Sequence, residues 1–236
     1  MNMISNKESI TEAILKVSRK LAAIIAVIAV IGFSFTTCKG DDDEADDPIN
    51  LPSAGDGSID FTTAKKYPVK GAGSETIEFT HCYGGGDDYD VLSDLFEDDY
   101  EVKITDGELS LKLGTLKDEL LEEAWGDSIT SGFKIFGIRH FVIDFNDELS
   151  WGWSNKTKTG HENEVVIFVY ANMPGKMTDY YTFMKDGWTY YSKIDMDLKQ
   201  GWNTVIEYGM GDDDKKISAS ARVTGKPQDK HKWRLW

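Results

Sequence analysis

The sequence predicts a mainly β domain: an antiparallel β-sandwich or partly closed barrel of about ten strands, with one short helix. Three observations lead there. Beyond Thr76 the apolar residues recur mostly at every second position, the period of a strand with one buried face. Two such stretches are interrupted by Asp-Gly, at Asp106-Gly107 and Asp186-Gly187, which supplies the positive φ that a tight hairpin turn needs. Strands joined by short turns pair with their sequence neighbours, which favours antiparallel layers.

The elements follow in chain order. Thr76 to Tyr83 reads as a strand with Ile77, Phe79, His81 and Tyr83 on one face. Tyr100 to Leu113 reads as a hairpin, with Val102 and Ile104 inward on one arm and Leu109 and Leu111 inward on the other. The helix is expected in TLKDELLEEAWG, residues 115–126. Thr115 caps it, Asp118 and Glu119 occupy its first turn, and Gly126 ends it. Phe133 to Phe145 and Glu164 to Tyr170 are apolar at both parities, so they read as central strands covered on both sides. Gly137 marks a bulge in the first of them. Trp151 and Trp153 fall on a short strand between the two. Tyr180 to Leu198 forms a second hairpin, whose returning arm puts Trp188, Tyr190, Ile194, Met196 and Leu198 inward and Tyr191 and Lys193 outward. Trp202–Tyr208 and Ile217–Val223 make a further pair, and residues 232–236 close an edge. A transmembrane barrel is a poor fit, because the central strands lack the polar lumen row that such a wall requires.

Charge restricts the partners. The 236 residues carry a net charge of −15. Four of the 26 bases and two of the 41 acids lie in residues 1–37, so the remainder holds 22 bases against 39 acids, a net of −17. Such a surface repels phosphate backbones and anionic headgroups, which excludes nucleic acid as a partner.

Residues 1–37 have a different character. Lys16, Arg19 and Lys20 precede fifteen uncharged residues, Leu21 to Phe35. That run is short for a membrane span but has the length of a secretory h-region. Thr36 and Thr37 then lead into Cys38, and Asp41, Asp42, Asp43, Glu44, Asp46 and Asp47 follow. Mutually repelling acids make an extended, solvated tether. The segment resembles a bacterial lipoprotein signal, with Phe35 and Thr37 replacing the usual leucine and small residue. This resemblance implies cleavage before Cys38, acylation of that cysteine and attachment to a membrane. Cys38, Lys39 and Gly40 followed by Asp41, Asp42, Asp43 and Glu44 are similar to the surface-export signal of Bacteroidota lipoproteins, which implies the outer leaflet of the outer membrane. The expected organisation is therefore a signal peptide over 1–37, a lipidated cysteine and acidic linker over 38–58, and a single β-rich domain over 59–236.

Motifs for chemistry are sparse. Only Cys38 and Cys82 occur, which excludes a disulfide scaffold, and no CxxC or HExxH spacing is present. His81 and Cys82 are adjacent, so a strand points them to opposite faces. The glycine-rich loop HCYGGGDDYD offers Asp87, Asp88 and Asp90 as hard oxygen ligands, a weak calcium candidate without EF-hand spacing. No GxSxG elbow, P-loop or dinucleotide fingerprint appears, and no cofactor is expected. Aromatics crowd the second half, among them Trp151, Trp153, Tyr180, Tyr181, Trp188, Tyr190, Tyr191, Trp202 and Tyr208. Strands favour aromatics, and most of these serve as core. Trp151, Trp153 and Tyr191 are the candidates for an outward, ligand-binding set. The expected function is a non-enzymatic binding or interaction domain on a lipid anchor, with a glycan or protein partner. The alternatives are a carbohydrate-binding module for glycan capture and a carrier with an apolar pocket.

Overall fold

Alternation at the strand period is realised as one long hydrogen-bonded sheet path that bends over on itself. The computed structural model describes Ile49 and residues 51–84, 89–124, 126, 128–143, 147–156 and 158–235. Sixteen strands are formed among the described residues. Ten of them have five residues or more, close to the number expected, but Lys65–Lys70 falls on no expected strand, and the strands expected at 76–83 and 232–236 appear only as pieces of two to four residues.

A small sheet comes from the first part of the chain. It comprises β1 (Lys65–Lys70), β2 (Ile77–Glu78), β5 (Glu101–Thr105) and β6 (Glu108–Lys112), in the order β2-β5-β6-β1. Its hairpin turns as anticipated: Asp106 and Gly107 have φ of 52° and 75°, the left-handed pair of a type I′ turn. Val102, Ile104, Leu109 and Leu111 all point into the core.

The rest forms the large sheet. Its strands are β3 (His81–Gly84), β4 (Tyr89–Val91), β7 (Glu122–Glu123), β8 (Ser128–Ile129), β9 (Lys134–Ile143), β10 (Asp147–Lys156), β11 (Gly160–Ala171), β12 (Gly175–Lys185), β13 (Trp188–Leu198), β14 (Gly201–Asp212), β15 (Ile217–Thr224) and β16 (Lys232–Leu235). The main path runs β16-β10-β9-β11-β14-β15-β13-β12-β8. The arrangement does not close into a barrel and fits a β-sandwich.

The C-terminal strand was expected at an edge. Instead β16 lies inside the path, parallel to β1 and antiparallel to β10, and so joins the small sheet to the large one. Trp233 on β16 sits at the centre of the main core, stacked on Trp151 at 5.0 Å and 14° and on Phe168 at 5.9 Å and 13°. Leu109, Leu111 and Ile104 of the small sheet close this core from the other side. A second, smaller core lies on the opposite face of the large sheet, where Phe133, Val169, Met177, Ile194, Met196 and Val205 pack together. Two cores explain why β9 and β11 are apolar at both parities.

Four local expectations are corrected. The helix over 115–126 does not form; the segment holds one 3₁₀ turn, Asp118–Leu120, and then the extended β7. Thr115 does not cap a helix: Asp98 accepts hydrogen bonds from its N–H at 2.6 Å and its hydroxyl at 3.2 Å. The backbone of 115–117 is spent on Leu95 and Glu97, so tertiary pairing overrides a short helical stripe that is marginal by itself. Among the described residues the one α-helical turn, α1 (Leu92–Leu95), lies elsewhere and buries Leu92 and Leu95. The strand over 76–83 is broken at Phe79-Thr80, because β2 pairs with β5 in the small sheet and β3 with β9 in the large one. The bulge sits at Arg139 rather than Gly137, since Tyr83 faces His140 while the next residue, Gly84, faces Ile138. That slip turns both Ile138 and Phe141 into the core.

Finally, packed chain begins upstream of Ile59. Leu51 is buried, the Gly55 N–H donates to Thr224 O at 2.6 Å, and the Thr204 N–H donates to Gly57 O at 2.7 Å. Residues 47–236 form one compact unit.

Candidate functional site

The β12–β13 hairpin carries an apolar surface that the rest of the sheet leaves uncovered. Its base is well packed: Met177 is buried opposite Met196, and a bare Gly175 lets the Phe133 ring lie directly on the strand. On its outer side, β8 pairs only with Met177 and Thr178. Beyond that point no described strand covers the edge, and both faces of β12 are exposed. Tyr180 is 48% exposed, Tyr181 42%, Phe183 44% and Met184 75%. Side chains alternate along a strand, so Tyr181 and Phe183 share one face while Tyr180 and Met184 share the other.

The rings form a ladder. Phe183 lies opposite Tyr190 of β13, with centroids 4.7 Å apart and planes 6° from parallel. This separation equals the spacing between strands, so the rings stand upright and face one another across the strand gap. Tyr181 continues the ladder at 6.2 Å and 20° from Phe183. The hairpin turns through Asp186 and Gly187 with φ of 52° and 77°, and Lys185 and Trp188 are directly opposed. A two-residue type I′ loop makes that closing pair a hydrogen-bonded one. The N–H and C=O of Lys185, Phe183 and Tyr181 therefore point at β13, and those of Met184, Thr182 and Tyr180 point out from the edge. The same parity holds at the base, where Lys176 O accepts from the Thr130 N–H on the outer side.

The three aromatics expected to face a ligand are placed otherwise. Trp151 is 8% exposed, locked between Trp233, Tyr67 and Phe168, and belongs to the core. Trp153 is half-buried under the Lys230 ammonium, which sits 4.7 Å from its ring centroid. Tyr191 is half-buried against the main core, on the face of β13 opposite Tyr190. Period-two alternation separates the faces of a strand but does not say which one another sheet will cover. Phe183 and Met184, absent from the expected set, are among the exposed residues. A sequence signal for them exists: residues 180–184 are apolar or weakly polar at both parities beside a turn.

The remaining polar clusters are tied into the fold. Glu164 accepts hydrogen bonds from Lys230 and from His231 Nε2, at 2.5 and 2.7 Å. The Gln228 N–H donates to His231 Nδ1 at 2.8 Å, which puts the imidazole proton on Nε2. Glu207 bridges Arg139 and Arg222. His140 is half-buried, and desolvation lowers its pKa below the ordinary value. Cys82 is fully buried, and desolvation with the nearby Asp90 carboxylate pushes its thiol well above the usual range. An open depression of about 650 Å³ on the outer face of the small sheet is lined by Lys66, Glu101, Lys103 and Glu108, which pair among themselves. The space between the sheets, where a carrier would keep a ligand, is filled by the Trp151–Trp233–Phe168 stack. No group of three potential metal ligands occurs among the described residues. Asp90 lies on β4, while Asp87 and Asp88 of the calcium candidate lie outside the described residues, as do Cys38, Lys39, Asp41, Asp42, Asp43 and Glu44.

Comparison with protein-family models, curated proteins and solved structures yields no match.

Proposed function

We propose that the chain is a membrane-anchored lipoprotein whose β domain is an interaction module, with the outer half of the β12–β13 hairpin as its contact surface. The anchor rests on the apolar run that ends at Cys38 and on the acidic tether behind it. The contact surface rests on one observation: Tyr180, Tyr181, Phe183 and Met184 are exposed together on a strand edge of a strongly acidic protein. Contiguous apolar surface of this kind marks an interaction site, and an open edge adds a row of backbone donors and acceptors. A polypeptide strand suits it better than a sugar. An incoming strand would pair with the open backbone edge as well as pack on the rings, whereas a sugar stacked on the rings would leave that row of donors and acceptors unused.

Two measurements test this. Cys38→Ala should abolish acyl labelling and membrane retention; unchanged labelling would refute the anchor. For the contact surface, a photo-crosslinking phenylalanine analogue is placed at Met184 in whole cells, with the exposed Lys66 as the control position. Position 184 should give a discrete polypeptide adduct and position 66 none. No adduct from 184, or the same adducts from both, would refute the assigned surface.

A further inference from the structure

The open edge of β12 is complementary to itself. Its outward-pointing backbone groups belong to Tyr180, Thr182 and Met184, so an incoming antiparallel strand has to present groups of the same parity. For a second β12 this leaves few registers. Centred on Thr182, the pairing sets Thr182 against Thr182, Tyr180 against Met184, Tyr181 against Phe183 and Asp179 against Lys185. Centred on Tyr181, it would put Asp179 opposite Phe183. Centred on Phe183, it would put Tyr180 opposite Asp186. Only the first register matches opposite charges at both ends and aromatic with apolar side chains between them.

We propose that a second copy of this chain is the partner, with two β12 strands joined antiparallel about a twofold axis at Thr182. This rests on the reading of β12 as the contact surface and names its occupant. In that dimer the ladder Tyr190–Phe183 continues onto Tyr181 of the second copy, and by symmetry the reverse. The contact is isologous, so it closes at two copies and does not propagate. Seven residues, 179–185, give an edge contact about 24 Å long. Local charge permits the approach: residues 179–193 hold two acids, Asp179 and Asp186, and two bases, Lys185 and Lys193, in a chain of net −15. Among the described residues, the pairing of β8 with β12 stops at Thr178, and no other strand pairs with the outer edge beyond it.

The test is sedimentation velocity of residues 47–236, the compact unit, over a concentration series. A monomer–dimer equilibrium is expected. Thr182→Pro removes an outward N–H that β13 does not use, so the monomer should keep its circular dichroism spectrum while dimerisation weakens at least ~tenfold. Lys185→Glu sets like charges opposite each other twice and should weaken it about threefold to tenfold, whereas Lys70→Glu on the small sheet should not. As a trap independent of affinity, Thr182→Cys should form an intermolecular disulfide on oxidation, since residues opposed across a hydrogen-bonded pair lie within disulfide reach. A chain that stays monomeric throughout with no trapped dimer overturns the proposal, as does a dimer indifferent to Thr182→Pro and Lys185→Glu. If the adduct from position 184 in cells is a different protein, the contact surface stands and self-pairing falls.

Discussion

The hairpin that presents the exposed ladder is held at its root by one close contact, and that contact is open to a quantitative test. Phe133 is 2% exposed and lies on Gly175, the first residue of β12. A Cβ at Gly175 would sit 2.5 Å from Phe133 Cδ2, 2.7 Å from Cγ and 2.8 Å from Cε2. Gly175→Ala should therefore overpack the second core and cost about 1–3 kcal/mol. Phe133→Leu removes part of the ring and should cost about 1–2 kcal/mol by loss of buried volume. Combined, the two should not add: with the ring gone, the methyl group has space. A favourable coupling of about 1 kcal/mol is expected in the double-mutant cycle, measured by urea unfolding at equilibrium. Additivity within roughly 0.5 kcal/mol would refute this packing and with it the reason for a glycine at the base of the hairpin.

Three further outcomes follow from the same structure. Leu111→Ala, in the main core, should cost about 2–5 kcal/mol while its neighbour Lys112→Ala stays within roughly 0.5 kcal/mol; equal losses in denaturant melts would contradict the strand faces. Hydrogen bonds from Ser58, Lys199 and Lys226 hold the Asp56 carboxyl well below the usual carboxylate range. A depressed folded value stabilises above the ordinary value of 3.8 and loses that contribution as pH falls below it, so Asp56→Asn should flatten the acid side of the stability profile; an unchanged profile would show that 55–58 is not held by these bonds. Cys82 should react with iodoacetamide only after unfolding, and rapid labelling of the native protein would contradict its burial.

Legibility in the sequence follows the range of the forces involved. Both Asp-Gly turns were readable because a two-residue hairpin loop requires positive φ at those very residues. The inward sets Val102/Ile104 and Leu109/Leu111 were readable because the turn fixes their register. Trp151 was not: its burial depends on Trp233, 82 positions away, arriving on a strand that runs parallel to β1 and antiparallel to β10 and so joins the two sheets. The helix over 115–126 was misread for a similar reason, since its backbone partners at Leu95 and Glu97 come from a separate segment. Tyr191 shows the limit of alternation. The face of β13 that carries it is the one covered by the main core, so the open surface belongs to the ladder on the other face and to the edge strand beside it.

The most direct test of the contact surface is amide hydrogen exchange along β12, residue by residue, in dilute and concentrated solution. The N–H groups of Tyr181 and Phe183, bonded to β13, should exchange slowly at every concentration. Those of Tyr180, Thr182 and Met184 should exchange fast when dilute and slow down as concentration rises. Slow exchange of these three in dilute protein, or rates indifferent to concentration, would contradict an edge that is open in the monomer and closed by a second copy.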